Sequence, residues 1–361
     1  MNYLKKYLKI ITTIVITNLV SKKKSNKKIP LNENSNVLIF ILKNKSESLL
    51  ITPLLQLIYE NTKANISVLA NENNEIIFKN NPYVNSIIIC EKDFSKQIFQ
   101  SFLLRKNKFD VLINCSENIN ETEILFSSLV SSKYKIGFNN ISDKTFSHIV
   151  DKLNIISNHY VDRILQLCEV FEFTVDKSRL NILYKTNKVH DEDIDRYILS
   201  QFSYTKLLAI INISGEVNNT FWGIDNYKKL IKYLKNYEVN IIVAFEQNNI
   251  EEAEKISDGK EKIFLTNEFD NYASLISKSN FVFTVDSFTL QLAASYKKRV
   301  FCLFPKQKSN ELIRVPYISD FDFVTSEKDD LSDLHYGKVL NSFIPYFDFV
   351  YEDFQLHKYK N

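Results

Sequence analysis

Glycine is scarce here, with five residues in a chain of 361. Phosphate loops of the GxGxxG and GxxxxGKS/T kinds are absent, so the two best-known nucleotide fingerprints are excluded. Cysteine is also thin. Cys90, Cys115, Cys168 and Cys302 are dispersed, and none is paired at CxxC spacing. Neither a zinc site nor a disulfide scaffold is indicated, and reduced thiols in a cytoplasmic protein are the plain reading. Acid is missing from residues 1–28, which hold eight lysines. The net charge is +3 for the whole chain, but residues 29–361 carry 38 basic and 43 acidic residues. A mildly acidic body excludes a general nucleic-acid binder. Long apolar runs are lacking too. The uncharged stretch Ile10–Val20 would span about 16 Å as a helix, against a bilayer core of about 30 Å. No small-residue cleavage site follows it, and Lys22–Lys24 come at once, so a signal peptide is not expected.

What is present begins with that arm, residues 1–30. Leu4, Leu8, Ile11, Val15 and Leu19 recur at helical spacing, with Lys5, Lys6 and Lys9 between them. A helix lying in an anionic membrane surface fits this pattern. An amphipathic helix docked on the protein's own surface is the alternative.

Beyond the arm, apolar runs alternate with helical patterns. Strands are predicted at 37–42, 65–70, 85–90 and 109–115, with helices over 48–60, 94–106, 119–131 and 158–172. A charged, weakly periodic stretch after 174 reads as a domain junction. The alternation then restarts, with strands at 207–213, 240–245, 262–265, 281–285 and 299–304. Helices fit at 224–236, 249–257, 270–278 and 288–296. Continuous apolar strands between helices predict parallel sheets covered on both faces. The expected architecture is α/β: an N-terminal Rossmann-like domain over 36–185 and a C-terminal one over 200–335. Residues 336–361 are expected as a tail packing back on the first domain. A cleft between the domains is the expected ligand site, at the carboxyl ends of the strands.

Four stretches fall at strand ends or turns. In "KNKSESLLITP", Ser46 or Ser48 can cap a helix whose first turn holds Glu47. The helix dipole favours an ionised carboxylate there, and such a group can accept a proton from a hydroxyl. A plain capping acid is the alternative. Pro53 is expected to kink this helix. In "NISGEVNNTFWGIDNYKKL", Ser214, Gly215 and the following amides could cradle phosphate, while Trp222 is read as packing. In "TVDSFTLQLAA", a strand ends at Asp286-Ser287 and a helix begins. Ser287 and Thr289 can donate to phosphate oxygens, or Asp286 and Ser287 are a simple N-cap. "NNPYVNS" is a turn entering a strand. The spacings Asp191-Glu192-Asp193 and Asp320-Phe321-Asp322 could hold a divalent metal, but are read as solvated surface.

Taken in order, these stretches resemble the heptosyltransferase family, glycosyltransferase family 9. The family's small-residue turn, helix and Thr-Pro pair correspond to Ser46-Glu47 through Thr52-Pro53. Its Asn-Pro-Tyr-Val segment stands intact at Asn81–Val84. Its Trp before a Tyr-x-x-Leu helix is Trp222 with Tyr227 and Leu230. Its Asp-Ser-Gly-x-x-His-Leu-Ala-Ala block is Asp286-Ser287-Phe288 through Gln291-Leu292-Ala293-Ala294. The resemblance spans about residues 37–305. It implies a GT-B fold with two doubly wound domains facing across a cleft, and metal-independent, inverting sugar transfer without a cofactor. The implied donor is a nucleotide sugar, usually ADP-heptose. The implied acceptor is a lipid-linked glycan, the lipopolysaccharide core, at the cytoplasmic face of the inner membrane, where the basic arm would place the protein peripherally.

On this reading Glu47 is the catalytic base. Ser214, Gly215, Thr220, Asp286, Ser287, Thr289 and Gln291 form the donor site, and Lys43 and Lys45 bind acceptor. No metal and no nucleic acid are implied. The departures from the family are specific. Its Gly-Asp pair is Ser46-Glu47, and a carboxylate displaced by about 1 Å can cost about 100-fold in rate. Its Lys two residues before the Trp is Thr220, its block Gly is Phe288, and its block His is Gln291. Lys43, Lys45, Lys306 and Lys308 are candidates to replace the lost charge. The rival reading is a degenerate, non-catalytic descendant that binds or scaffolds at the membrane.

Overall fold

The structure is a computed structural model that describes residues 2–139, 143–215, 220–245, 247–306, 315–317 and 319–358. For residues 2–10, 143, 178 and 247 it describes the backbone alone. The chain divides into two compact units, residues 1–183 and 184–361.

The first unit opens with α1 (Asn2–Leu19). β1 (Asn36–Phe40), α2 (Lys45–Leu50), α3 (Thr52–Thr62), β2 (Asn65–Ala70) and β3 (Ser86–Ile89) follow. Next come α4 (Phe94–Leu103), β4 (Phe109–Asn114), α5 (Glu121–Leu129), β5 (Ser132–Phe138), β6 (His148–Val150) and α6 (Tyr160–Leu165). Its six strands are all parallel, in the order β3-β2-β1-β4-β5-β6. The second unit holds α7 (Lys188–Gln201), β7 (Leu207–Asn212), α8 (Ile224–Leu234), β8 (Val239–Ala244), α9 (Ile250–Ser257) and β9 (Lys262–Phe264). It continues through α10 (Phe269–Lys278), β10 (Phe281–Val285), α11 (Phe288–Ser295), β11 (Arg299–Phe304), β12 (Phe321–Thr325) and α12 (Tyr336–His357). Its strands are likewise all parallel, in the order β12-β11-β10-β7-β8-β9. Both sheets follow the doubly wound order in which the chain winds outward from a central strand, then returns to its other side. Ligands of such sheets bind at the carboxyl ends of the strands where the order reverses. Those points are β1/β4 in the first unit and β7/β10 in the second.

The same clasp holds both centres. The amide of Asn36 donates to Asp110 Oδ2 at 2.9 Å, and that of Leu208 donates to Asn280 Oδ1 at 2.8 Å. Each ties the start of one central strand to the residue leading into, or just inside, the other.

The central strands are buried along nearly their whole length, as sheets covered on both faces require. Phe40 and Phe126 pack at the heart of the first unit. The segment expected as a tail is α12, and its Val339, Phe343, Phe347 and Val350 join the core of the second unit. The predicted helix over 48–60 is two helices, α2 and α3, divided at Ile51. Pro53 bends nothing, because it stands in the first turn of α3, where its missing N–H costs little. The Asn81–Val84 segment is a turn feeding β3, closed by the Tyr83 amide on Asn81 Oδ1 at 2.9 Å.

Helix α1 packs on α5, with Thr13 buried. Ile11, Ile14, Val15 and Leu19 are nonetheless exposed, Leu19 at 78%. The arm beyond the helix is pinned by the Lys22 amide on Lys144 O and the Ser25 amide on Ser147 O. Among the described residues no helix is long and apolar enough to cross a membrane.

Candidate active site

At β1 the chain leaves the sheet, and Asn44 starts α2. The Asn44 side chain accepts the Glu47 amide at 2.8 Å. The cap is therefore Asn44, not Ser46 or Ser48. Ser48 is buried, and its Oγ donates to Asn44 O at 2.7 Å. Glu47 is half-buried and lies outside the core. The charge of Glu47 is felt by Tyr160, which is buried at the start of α6. Burial first, then the charge of Glu47, pushes the Tyr160 phenol well above its ordinary range.

One residue fixes this loop. Asn74 is 0% exposed. Its amide nitrogen reaches Ile41 O and Lys43 O at 3.1 Å and Ser48 Oγ at 2.8 Å, while its Oδ1 accepts the Asn71 amide at 2.8 Å. These bonds fix the loop between β1 and α2, the loop that leads to Glu47. Replacing Asn74 by Ala strands buried carbonyls and is expected to cost about 1–3 kcal/mol, read as a lowered midpoint in urea unfolding.

Across the switch point, β4 delivers Cys115, Ser116 and Glu117. Glu117 is held in a two-point pair by Arg163, with Nε–Oε1 at 2.8 Å and Nη2–Oε2 at 2.9 Å. The guanidinium is 2% exposed and donates also to Ile155 O and Asn158 O. Beside them Glu123 is buried in a capping box with Asn120. Burial raises its carboxyl pKa, against the pull of Ser116, the Asn120 amide and the Lys43 ammonium. Lys43 thus faces a carboxylate of its own unit. Lys45 is partly exposed at the start of α2. Asn74, Glu117 and Arg163 were not foreseen from sequence. Their partners lie far along the chain, where no sequence spacing reveals them.

In the second unit, Asn212 ends β7 and is buried. Its Nδ2 donates to Ser214 O at 2.7 Å, Thr284 Oγ1 at 3.0 Å and Ser287 Oγ at 3.1 Å. This side chain ties the loop after β7 to the one after β10. Ser214 Oγ donates to Asn249 Oδ1 at 2.8 Å. Thr220 is buried against Gly215, where an added Cβ would lie 1.6 Å from Thr220 Oγ1. Gly215 thus needs to be glycine because the Thr220 side chain occupies the space a Cβ would take. Asp286 is partly exposed at the end of β10, its amide donating to Leu303 O at 3.0 Å.

Ser287 is the N-cap residue of α11 but makes no side-chain cap bond, since Asn212 and Thr284 hold its hydroxyl. Ser287 therefore does not cap the first amides of α11, and a helix start not capped by its own N-cap side chain can accept an anion. Phe288 turns its ring onto Phe269, centroids 5.3 Å apart. Thr289 is buried, sharing a 2.7 Å hydrogen bond with Tyr272, and Gln291 is buried as well. Ser214, Gly215, Thr220, Asp286 and Ser287 are thus brought to one strand-end cluster, while Thr289 and Gln291 face helix packing. Trp222 packs the loop, as expected: its Nε1 donates to Leu334 O at 2.6 Å and its ring meets Tyr227 and Phe283. Lys306 is exposed, and Lys308 lies outside the described residues.

Asp191 accepts Thr186 Oγ1 and Ser274 Oγ, both at 2.7 Å, and Asp193 pairs with Arg196. Asp320 pairs with Arg299 at 3.3 Å, and Asp322 accepts the Phe323 amide. Both acidic spacings thus have structural partners. No group of His, Cys, Asp and Glu among the described residues could hold a metal ion.

The sequence profile of glycosyltransferase family 9 (heptosyltransferase) matches residues 100–342, more than half of the chain. The chain belongs to glycosyltransferase family 9. The family 9 match takes in the strand-end cluster of the second unit and begins beyond Glu47. Similar solved structures agree on the fold. A family 9 glycosyl transferase from Veillonella parvula DSM 2008 superposes with a TM-score of 0.77 at 15% identity, covering 89% of this chain and 99% of its own. The E. coli heptosyltransferase WaaC with ADP gives 0.70 at 12% identity, over 86% and 99% of the two chains. The E. coli ADP-heptose LPS heptosyltransferase II gives 0.67 at 13%, over 86% and 98%. A search of curated protein sequences returned no match. The two doubly wound units are the α/β, GT-B-type fold of these heptosyltransferases.

Proposed function

We propose that this family 9 protein transfers a sugar from a nucleotide-sugar donor to a hydroxyl on a lipid-linked glycan, with inversion and without a metal. The donor diphosphate is taken by the loops after β7 and β10: Ser214, Gly215, Asp286, Ser287 and the first amides of α11. Glu47 accepts the acceptor proton as that oxygen attacks the anomeric carbon and the nucleoside diphosphate leaves. Lys43 and Lys45 meet the acceptor. The observation that carries the reading is positional. Glu47 and the Ser214/Asp286/Ser287 cluster each stand at the switch point of their own sheet, where such folds place ligands. Preorganised charge around the departing diphosphate is the largest contribution in reactions of this kind. Here it comes from amides and hydroxyls, because Thr220 stands where the family has Lys.

ADP-heptose is the proposed donor; a solved relative, the E. coli heptosyltransferase WaaC, holds ADP-2-deoxy-2-fluoro heptose. The exposed stripe Ile11, Ile14, Val15 and Leu19 with the lysines after it supports a peripheral position on the inner face of the inner membrane. The test is release of nucleoside diphosphate from ADP-, UDP- and GDP-linked sugars by the full chain. Release from one ADP-sugar, dependent on a lipid-glycan acceptor, is the expected result.

A second reading is favoured by Phe288 and Thr220, which fill places that are Gly and Lys in the family: a binding protein that has lost turnover. Donor binding by calorimetry with no release from any sugar nucleotide would select it.

A further inference from the structure

The carboxyl end of α5 gathers three cations. Lys22 Nζ donates to Ser132 O at 2.9 Å, Arg105 Nε to Leu129 O at 3.0 Å, and Lys135 Nζ to Ser128 O at 2.8 Å. All three residues line one cavity of about 420 Å³, together with Ser128–Ser132 and Val20. Capping a helix end explains one of these charges. A helix carboxyl terminus carries only about half a negative charge, so positive charge remains unbalanced there. No carboxylate among the described residues pairs with any of the three. Lys135 is 2% exposed, and burying an ammonium without a counter-ion is costly. Burial first, then Lys22 and Arg105, draws its pKa down to about 7. Ser132 lines the same cavity, is 6% exposed, and its buried Oγ has no hydrogen-bond partner among the described residues. Three cations and an unused hydroxyl around a cavity are what a phosphate group needs.

We infer that Lys22, Arg105, Lys135 and Ser132 form a second anion site, distinct from the donor loops, that takes the phosphoryl group of a phosphomonoester or phosphodiester. The rim points to the ester's other end. Leu19 at the end of α1 and Phe102 and Leu103 at the end of α4 are exposed, and the Arg105 guanidinium lies 4.6 Å from the Phe102 ring centroid. Phe99 continues the same face of α4, exposed at 64%. Charged groups beside exposed apolar side chains suit a phospholipid headgroup whose acyl chains stay in the bilayer. The inference shares with the proposed function only its membrane premise, and the test separates them.

The full chain is sedimented with vesicles of phosphatidylcholine alone and of phosphatidylcholine with phosphatidic acid. In parallel, its thermal midpoint is followed against inorganic phosphate and glycerol phosphate, with sodium chloride at equal ionic strength as control. Lys22→Met, Arg105→Met and Lys135→Met are compared with Lys23→Met, which removes an equal charge outside the cavity. Loss of one charge-assisted contact should weaken the anion at least about tenfold, with Lys23→Met nearly unchanged. That pattern with vesicles supports a lipid source. The same pattern with soluble phosphates supports a free one. Equal losses for Lys22→Met and Lys23→Met, with no rise in midpoint on adding phosphate, would overturn the site and leave a membrane arm acting by charge alone. Transfer activity on a soluble acceptor should be normal in all four variants, and its absence would count against the proposed function, not this site.

Discussion

Replacing Glu47 by Gln is expected to reduce turnover by about 10²–10⁴-fold, the usual worth of a positioned base, with donor affinity unchanged. The substitution is nearly isosteric. It leaves the fold alone, because Asn44 caps α2 through the Glu47 backbone amide rather than its carboxylate. What is lost is the ability to take a proton as the acceptor oxygen becomes a nucleophile. Steady-state release of nucleoside diphosphate, paired with calorimetric donor binding, checks it. Undiminished turnover in the Gln variant would remove Glu47 from the mechanism. Glu47→Asp restores the residue type of the family while drawing the carboxylate back by one methylene. A change within about 100-fold in either direction is the scale on which such a displacement acts, and its sign tells whether the loop has adjusted to the longer acid.

The second large effect is on stability. Arg163→Met should cost about 3–5 kcal/mol, because it leaves the Glu117 carboxylate in a largely buried place without its cation. Ile155 O and Asn158 O lose their donor as well. Urea unfolding reads it directly. Pairing the change with Glu117→Gln should recover much of the loss, since the penalty lies in the orphaned charge more than in the missing contact. A loss below about 1 kcal/mol would place the pair with exposed ion pairs and contradict its burial. Because Tyr160 starts the same helix as Arg163 and lies by Glu47, the variant should also slow turnover through the neighbourhood of the base.

Most of the sheet was legible because buried parallel strands are continuous apolar runs. "VLIFI", "LLAIIN" and "FVFTV" have few other readings. The strands that escaped show what the signal requires. β5 reads "SKYKIGF", and its inward lysine, Lys135, looks like a loop residue until the carbonyls and cavity around it are seen. β6 has three residues, and β12 buries only Val324 of its five. Both lie at sheet edges, where one flank is open and apolar continuity is not needed. α7 buries Ile194 and Ile198 alone among many charges, too little for periodicity to register. Turn-and-strand spacing led to Glu47, Ser214, Asp286 and Ser287, since a strand followed by a polar turn marks a loop at a sheet's carboxyl edge. The residues that hold those loops could not be found that way. Asn74 and Asn212 act through contacts made only once the chain has folded. Thr220 and Phe288 were read as lost functions, and each proves to have a packing partner, Gly215 and Phe269 respectively.

All strand pairs in both sheets run parallel, and this governs how the chain reaches its native state. No two neighbouring strands can be joined by a tight hairpin. The clasp at each centre closes between Asn36 and Asp110, 74 residues apart, and between Leu208 and Asn280, 72 apart. Loop closure of that length must precede any reward from the pairing, so assembly is slow for the chain's size. During synthesis β1 and β7 leave the ribosome as largely apolar ribbons before either of their neighbouring strands has been made. In that interval they are open to pairing with other chains, so yield on expression depends on temperature and chaperone supply more than final stability would indicate.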